Sequence, residues 1–105
     1  MAGIYLLYES RRANKKFSIV SPETASEVHF GDSSYEDFTQ HGDEERKKNY
    51  LKRHRARENW DDPKTAGFWS RWLLWNKPSL NESIQDTEDR FNIHIVLEKK
   101  SLRDM

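Results

Sequence analysis

Hydrophobic and polar positions alternate in short runs along the first third of the chain. The runs at 4–8 and 16–20 are rich in β-branched and aromatic residues, and the polar connection between them suits a hairpin. Pro22 ends the second run because proline cannot donate a ladder hydrogen bond. Residues 27–30 alternate again and stop at a Gly-Asp pair. The pattern predicts a three-stranded antiparallel meander over residues 4–30.

The remaining two thirds of the chain carry hydrophobic residues at helical spacing. Residues 33–40 predict a short turn of helix. Residues 94–97 are apolar and suit either a fourth short strand or an apolar tail. Three longer helices are predicted at 44–58, 66–76 and 80–91, each preceded by a residue suited to the N-cap position: Asp43, Thr65 and Ser79.

The order of these elements sets the fold class. Because the strands precede the helices and the connections are short, the chain is predicted to adopt an α+β fold, in which a small antiparallel meander packs against three helices. A length of 105 residues corresponds to one domain, which we place at 1–97, followed by a charged C-terminal tail at 98–105. Six residues are expected to be largely buried: Phe30, Tyr50, Trp72, Leu73, Ile84 and Phe91.

The most aromatic segment is 65–78, where three of the four tryptophans fall within seven residues. On a helix these rings point about 60° to 120° apart, so one small sheet cannot cover all of them. At least one ring should therefore lie near the surface, where tryptophan and arginine are common interface anchors. The candidate protein-contact residues are Trp69, Arg71, Trp75 and Lys77.

Charge is unevenly distributed, although the net charge is zero. Residues 43–60 contain seven Lys or Arg against four Asp or Glu, and the helix predicted there carries basic stripes that can follow phosphates. The other interpretation is a solvated amphipathic helix that buries Tyr50 and Leu51. We favour it because phosphate-binding domains are usually strongly basic as a whole. The possible nucleic-acid contacts are Arg46, Lys48, Lys52, Arg53, Arg55 and Arg57.

No arrangement of residues indicates catalysis or a metal site. The chain has no cysteine, which excludes disulfides and thiolate chemistry, and its four histidines lack zinc-ligand spacing. There is no glycine-rich phosphate loop and no nucleophile elbow. We expect a protein that is not an enzyme and uses no cofactor, metal or small-molecule substrate.

Membrane insertion and secretion are also not expected. No run approaches the roughly 18–20 apolar residues that span a bilayer. The first apolar run, at 4–8, is too short for a signal peptide and lacks a basic leader.

The order of the motifs resembles that of a family of small uncharacterised proteins encoded by large nucleocytoplasmic double-stranded DNA viruses. The most specific part is the segment KTAGFWSRWLLWNKP at 64–78. The resemblance extends between residues 15 and 95 and includes the segments 28–31, 46–54, 58–60 and 83–91, together with Tyr35 and Phe38.

The resemblance implies a viral context and no catalytic residues. It favours a structural component of the virion, such as a minor capsid or cement protein that contacts other capsid chains. The alternative is a nucleic-acid-associated protein that uses the basic helix 44–58 in genome packaging or transcription, and a third possibility is a small host-interaction module. The implied location is the virion or the cytoplasm of the infected cell.

Overall fold

The computed structural model describes residues 3–98, which form an α+β fold. Most of the predicted tail, 99–105, lies outside the described residues. The elements in chain order are β1 (Ile4–Glu9), β2 (Lys15–Ser21), β3 (Ser26–Asp32), α1 (Phe38–His41), α2 (Glu44–His54), α3 (Ala66–Trp69), a π-helix (Ser70–Leu74), α4 (Leu80–Phe91) and β4 (His94–Leu97).

The first three strands form the predicted antiparallel meander, in which Leu7 pairs with Ile19 and Ile19 with Val28. Residues 94–97 form a fourth strand, which runs parallel to β1 and gives the sheet the order β3-β2-β1-β4. The sheet is therefore mixed. The helices lie between β3 and β4 in the chain, and a connection of this length allows β4 to add to the edge of β1 in the parallel direction.

The three longer helices begin where they are predicted, and two of their ends differ. The short helix predicted at 33–40 is confined to Phe38–His41 and begins after the N-cap Asp37. Asp43, Thr65 and Ser79 each accept a backbone N–H at an N-cap, and α4 has the predicted bounds. Helix α2 ends at His54, before the predicted end at 58, and a turn follows in which the amides of Arg57 and Glu58 both donate to the His54 carbonyl. The helix predicted at 66–76 divides into α3 and the π-helix, which is closed by a hydrogen bond from the Trp75 amide to the Ser70 carbonyl.

The core lies between one face of the sheet and the helices from 66 onwards. Leu7, Ile19 and Phe30 from the strands pack with Trp69 and Leu73. Four of the six expected core residues are buried: Phe30, Tyr50, Trp72 and Leu73. Ile84 and Phe91 are only half-buried and pack at the edge of the cluster, so the expectation for these two was too strong.

Gly31 closes β3 in a conformation that requires glycine. Its φ of 82° lies in the left-handed region, and a Cβ atom there would meet Leu74 Cδ1 at 2.7 Å. The strand can therefore approach the π-helix only because this position lacks a side chain.

We predict that Gly31→Ala destabilises the fold by about 2 kcal/mol more than Gly42→Ala, as measured by urea unfolding. Gly42 is a matched control because its φ is 61° and a Cβ there would have no neighbour within 4 Å. Equal losses of stability in the two variants would show that the contact with Leu74 does not matter.

Candidate functional site

A cleft of about 610 Å³ separates α2 from the C-terminal end of β3. Trp75 and the exposed Tyr35 contribute accessible aromatic surface, whereas Phe30 and Leu74 close the cleft from below and are themselves fully buried. The remaining walls are mostly polar or charged. A volume of this order holds a drug-sized molecule or a few residues of a peptide. The lining comes from β2, β3, the connection at 33–37, α2, the residue Glu58, α3, the π-helix and Trp75.

Helix α2 forms the outer wall and is held in place mainly by one aromatic stack. The Tyr50 ring lies 4.2 Å from the Trp75 ring, with an angle of 4° between the planes. On its other side the His54 ring lies 4.1 Å from Tyr50. Burial raises the pKa of Tyr50 well above its usual range, and the nearby Glu58 charge acts in the same direction, so this phenol stays neutral.

A lysine adds a second attachment near the start of α2. Lys47 Nζ donates to the Asn76 carbonyl at 2.6 Å and lies 4.9 Å from the centre of the Phe38 ring. Burial lowers the Lys47 pKa, as does the positive charge of Arg71. The helix is therefore fixed by a few side-chain contacts and leaves an open space beneath it.

The charges around the cleft balance, but most of the acidic groups are already engaged. Lys16 Nζ lies 2.6 Å from Asp37 Oδ2, and Glu58 accepts hydrogen bonds from Trp60 Nε1 and pairs with His54. Asp32 accepts from the amide and hydroxyl of Ser34, and these bonds lower its pKa. Glu36 and Arg46 form only a distant pair at 4.0 Å, and both side chains are largely exposed.

The six predicted nucleic-acid contacts are all exposed, and the fold divides them between two surfaces. Arg46 and Arg53 line the cleft, together with Lys15 and Lys16 of β2. The others do not line it: Lys48, Lys52, Arg55 and Arg57. Two positions of one predicted stripe, Arg46 and Arg53, therefore face the cleft, whereas the other stripe (Lys48, Lys52 and Arg55) does not.

Trp69 is not a surface contact residue, contrary to the prediction. It has no exposed surface, because its ring packs 5.0 Å from Tyr5 and its Nε1 donates to the Pro63 carbonyl at 2.8 Å. Arg71 is half-buried, with its guanidinium 4.3 Å from the Trp72 ring and a hydrogen bond to the Trp75 carbonyl. Burial lowers the pKa of Arg71, and the charge of Arg90 contributes.

The other two predicted contact residues stay available to a partner. Trp75 is half-buried and forms part of the cleft lining, and Lys77 is exposed. One face of the Trp75 ring stacks on Tyr50 of α2. Trp75 therefore both lines the cleft and holds the helix that forms its outer wall.

A serine, a histidine and a glutamate also meet on the opposite face of the sheet, a juxtaposition that the sequence pattern did not indicate. Ser10 Oγ lies 2.8 Å from His29 Nδ1, and His29 Nε2 lies 3.5 Å from Glu27 Oε1. The second distance is too long for a hydrogen bond, and Arg11 holds the Glu27 carboxylate at 2.7 Å. None of these residues lines the cleft, so we interpret the group as a polar network that supports a buried histidine.

Neither a metal-binding cluster nor a membrane-spanning helix is present within residues 3–98. No group of three or more His, Asp or Glu side chains in this range is arranged to hold a metal ion. None of the helices described there has the length and apolar character needed to cross a membrane.

We predict that stability falls as the pH is lowered from about 7.5 to about 5, and that His29→Asn reduces this dependence. Burial lowers the pKa of His29; the nearby Glu27 carboxylate opposes this shift, and Arg12 and Arg11 add to it. The unfolded chain then binds a proton that the folded chain does not, so the stability present above the unfolded pKa is lost below it.

Thermal melting at several pH values tests this prediction, and His94→Asn is the control because His94 is exposed. The same pH dependence in His29→Asn and the parent protein would contradict the assignment to His29.

We predict that Tyr50→Ala releases α2 while leaving the sheet intact. Loss of both ring contacts should lower the local opening free energy by about 3 kcal/mol, which increases amide exchange in residues 44–54 by roughly 100-fold. Amides of β1 to β3 should keep their protection. Tyr50→Phe keeps the rings and serves as the control; uniform loss of protection in Tyr50→Ala would show that α2 is part of the global folding unit.

Part of the cleft lining belongs to a segment of the chain that matches a known sequence family. No curated protein and no solved structure matches the chain. Residues 5–54 are similar to a family of unknown function, DUF5754, and this match spans the meander, α1 and α2 but not the tryptophan-rich segment. Because the description of that family names no activity and no source, the viral resemblance stays a prediction.

Proposed function

We propose that this protein is a non-enzymatic structural or interaction protein that works by contact with other protein chains through the α2 cleft. The observation that supports it best is the cleft itself. It combines aromatic surface from Trp75 and Tyr35 with polar walls, and Tyr35 is 69% exposed. Apolar surface with polar groups around it is the usual composition of a protein interface.

The charge balance of the cleft favours a protein partner over nucleic acid. Its lining contains Lys15, Lys16, Arg46 and Arg53, but also Asp32, Glu36, Asp37 and Glu58. A groove that follows phosphates gains its affinity from an excess of positive charge. The acidic lining would oppose such a strand, whereas a peptide offers both apolar and charged groups.

In the viral context that the sequence resemblance implies, the partner would be another virion protein. A small domain that fills gaps between capsomers needs contact surfaces and no active site. The role we propose is a minor capsid or cement component.

A nucleic-acid-associated role is the second candidate, and it rests on the side of α2 that faces away from the cleft. Lys48 and Lys52 of α2 and Arg55, the residue that follows the helix, are exposed there. Phosphate contacts through these side chains would give weak binding that falls steeply with salt.

We predict that a photo-crosslinking amino acid, p-benzoylphenylalanine, in place of Tyr35 joins the protein to one virion protein in purified particles. The same amino acid in place of Glu23 is the control, since Glu23 is exposed in the β2–β3 turn at the other end of β3. Mass spectrometry of the products identifies the partner. Absence of the protein from purified particles, or equal crosslinking from both positions, would contradict the proposal.

A further inference from the structure

We infer that the free edge of β3 pairs with β3 of a second copy of this chain, in an antiparallel dimer in which the two Val28 residues lie opposite each other. This inference goes beyond the proposed function and concerns a different surface. The central residues of the interface would be Glu27, Val28 and His29, and none of them lines the cleft.

The two edge strands of the sheet, β4 and β3, differ in how their backbone groups are used. β4 has only four residues, and its Ile95 amide donates to Glu88 Oε2 at 2.8 Å. β3 has seven residues, without proline or lysine. In the described part of the chain, the backbone of residues 27–31 forms no hydrogen bond beyond its ladder with β2. An edge strand with unpaired N–H and C=O groups is a template for pairing with another chain.

The ladder determines which residues of β3 face its free edge. The Leu7 carbonyl accepts from the Glu98 amide of β4, so Leu7 does not bond to its β2 neighbour, Ile19. Because hydrogen-bonded and non-hydrogen-bonded pairs alternate along a strand, Ile19 bonds instead to Val28 on its other side. The N–H and C=O groups of Val28 are therefore used inside the sheet, and those of its two neighbours in β3 point outwards.

The side chains of this edge are complementary to those of a second copy in one register. When the two Val28 residues are opposite each other, Glu27 of each copy lies opposite His29 of the other, because a two-fold axis repeats every contact. The valines form a non-hydrogen-bonded pair, in which side chains approach most closely. Val28 is half-buried at the margin of the core, so this contact would complete its burial.

The opposite face of β3 carries a polar group that this register supplies with a partner. His29 Nε2 is buried and has no hydrogen-bond partner within residues 3–98, since Glu27 Oε1 of the same chain is 3.5 Å away and Nδ1 is bonded to Ser10 Oγ. Pairing at Val28 places a carboxylate of the second copy opposite each imidazole. A register centred on His29 would instead place the two imidazoles opposite each other and give neither an acceptor.

Two proline variants test whether the β3 edge forms the interface. Glu27→Pro removes an outward N–H group of β3, and Leu97→Pro removes one of β4, so neither variant loses a hydrogen bond inside the sheet. Two paired strands bury less area than a standard interface, so we expect a weak dimer. By sedimentation velocity, the parent protein and Leu97→Pro should be monomers at about 1 μM and dimers at about 100 μM, and Glu27→Pro should stay monomeric.

Disulfide crosslinking tests the register, because the chain contains no cysteine of its own. In the inferred dimer the two Val28 Cα atoms are about 4.5 Å apart, which a disulfide can bridge, and the two Ser26 Cα atoms are about 14 Å apart. Under oxidation with copper phenanthroline, Val28→Cys should therefore form a linked dimer about tenfold faster than Ser26→Cys. Ser26 is a stringent control, because it lies on the same face of β3 and is more exposed than Val28.

Thermal melting first establishes that each variant is folded, and the crosslinking rates decide if Glu27→Pro does not fold. A parent protein that is monomeric at about 100 μM would overturn the inference. Equal dimerisation of the two proline variants, or equal crosslinking of Val28→Cys and Ser26→Cys, would also overturn it and place the dimer contact elsewhere. A monomeric parent whose β3 amides become protected from exchange only when virion proteins are added would assign the edge to a different chain.

Discussion

The fold depends on one short aromatic segment, residues 66–75, which packs against other elements of the protein on three of its sides. Trp69 packs against Tyr5 of the sheet, Trp72 against Phe91 of α4, and Trp75 against Tyr50 of α2. Successive tryptophans three positions apart point in different directions around a helix, so each ring requires a different neighbour. The sheet, α4 and α2 are thus brought together by a single segment, whose indole N–H groups are also satisfied where they are most buried.

This arrangement explains how a chain with so few hydrophobic residues folds. Large rings remove much apolar surface from water per residue, and here they also contact one another at favourable angles. Arg71 and Arg90 also help to cover the aromatic core. Their guanidinium groups lie over the Trp72 ring and shield it from water, so no additional apolar residue is needed there. The consequence is a core concentrated around one element, with α2 attached at its margin.

The position of α2 at the margin of the core creates the candidate site. A helix buried along its whole length would leave no space beneath it. A helix held chiefly by Tyr50 and Lys47 can bound a cleft and still keep a defined position. The same residues that fix the wall therefore determine the shape of the surface offered to a partner.

The sequence by itself determined the elements, because their signals are local. The alternation over 4–30, the N-caps at Asp43, Thr65 and Ser79, and the bounds of α4 all follow from spacing and from side chains that bond to nearby backbone. Only the tertiary structure decided which tryptophan is covered. Trp69 and Trp75 have similar local sequence surroundings, and their burial depends on Tyr5 and Tyr50, which lie far away along the chain. The parallel pairing of β4 and the cleft have the same origin: both join residues from distant segments, whose approach no local pattern specifies.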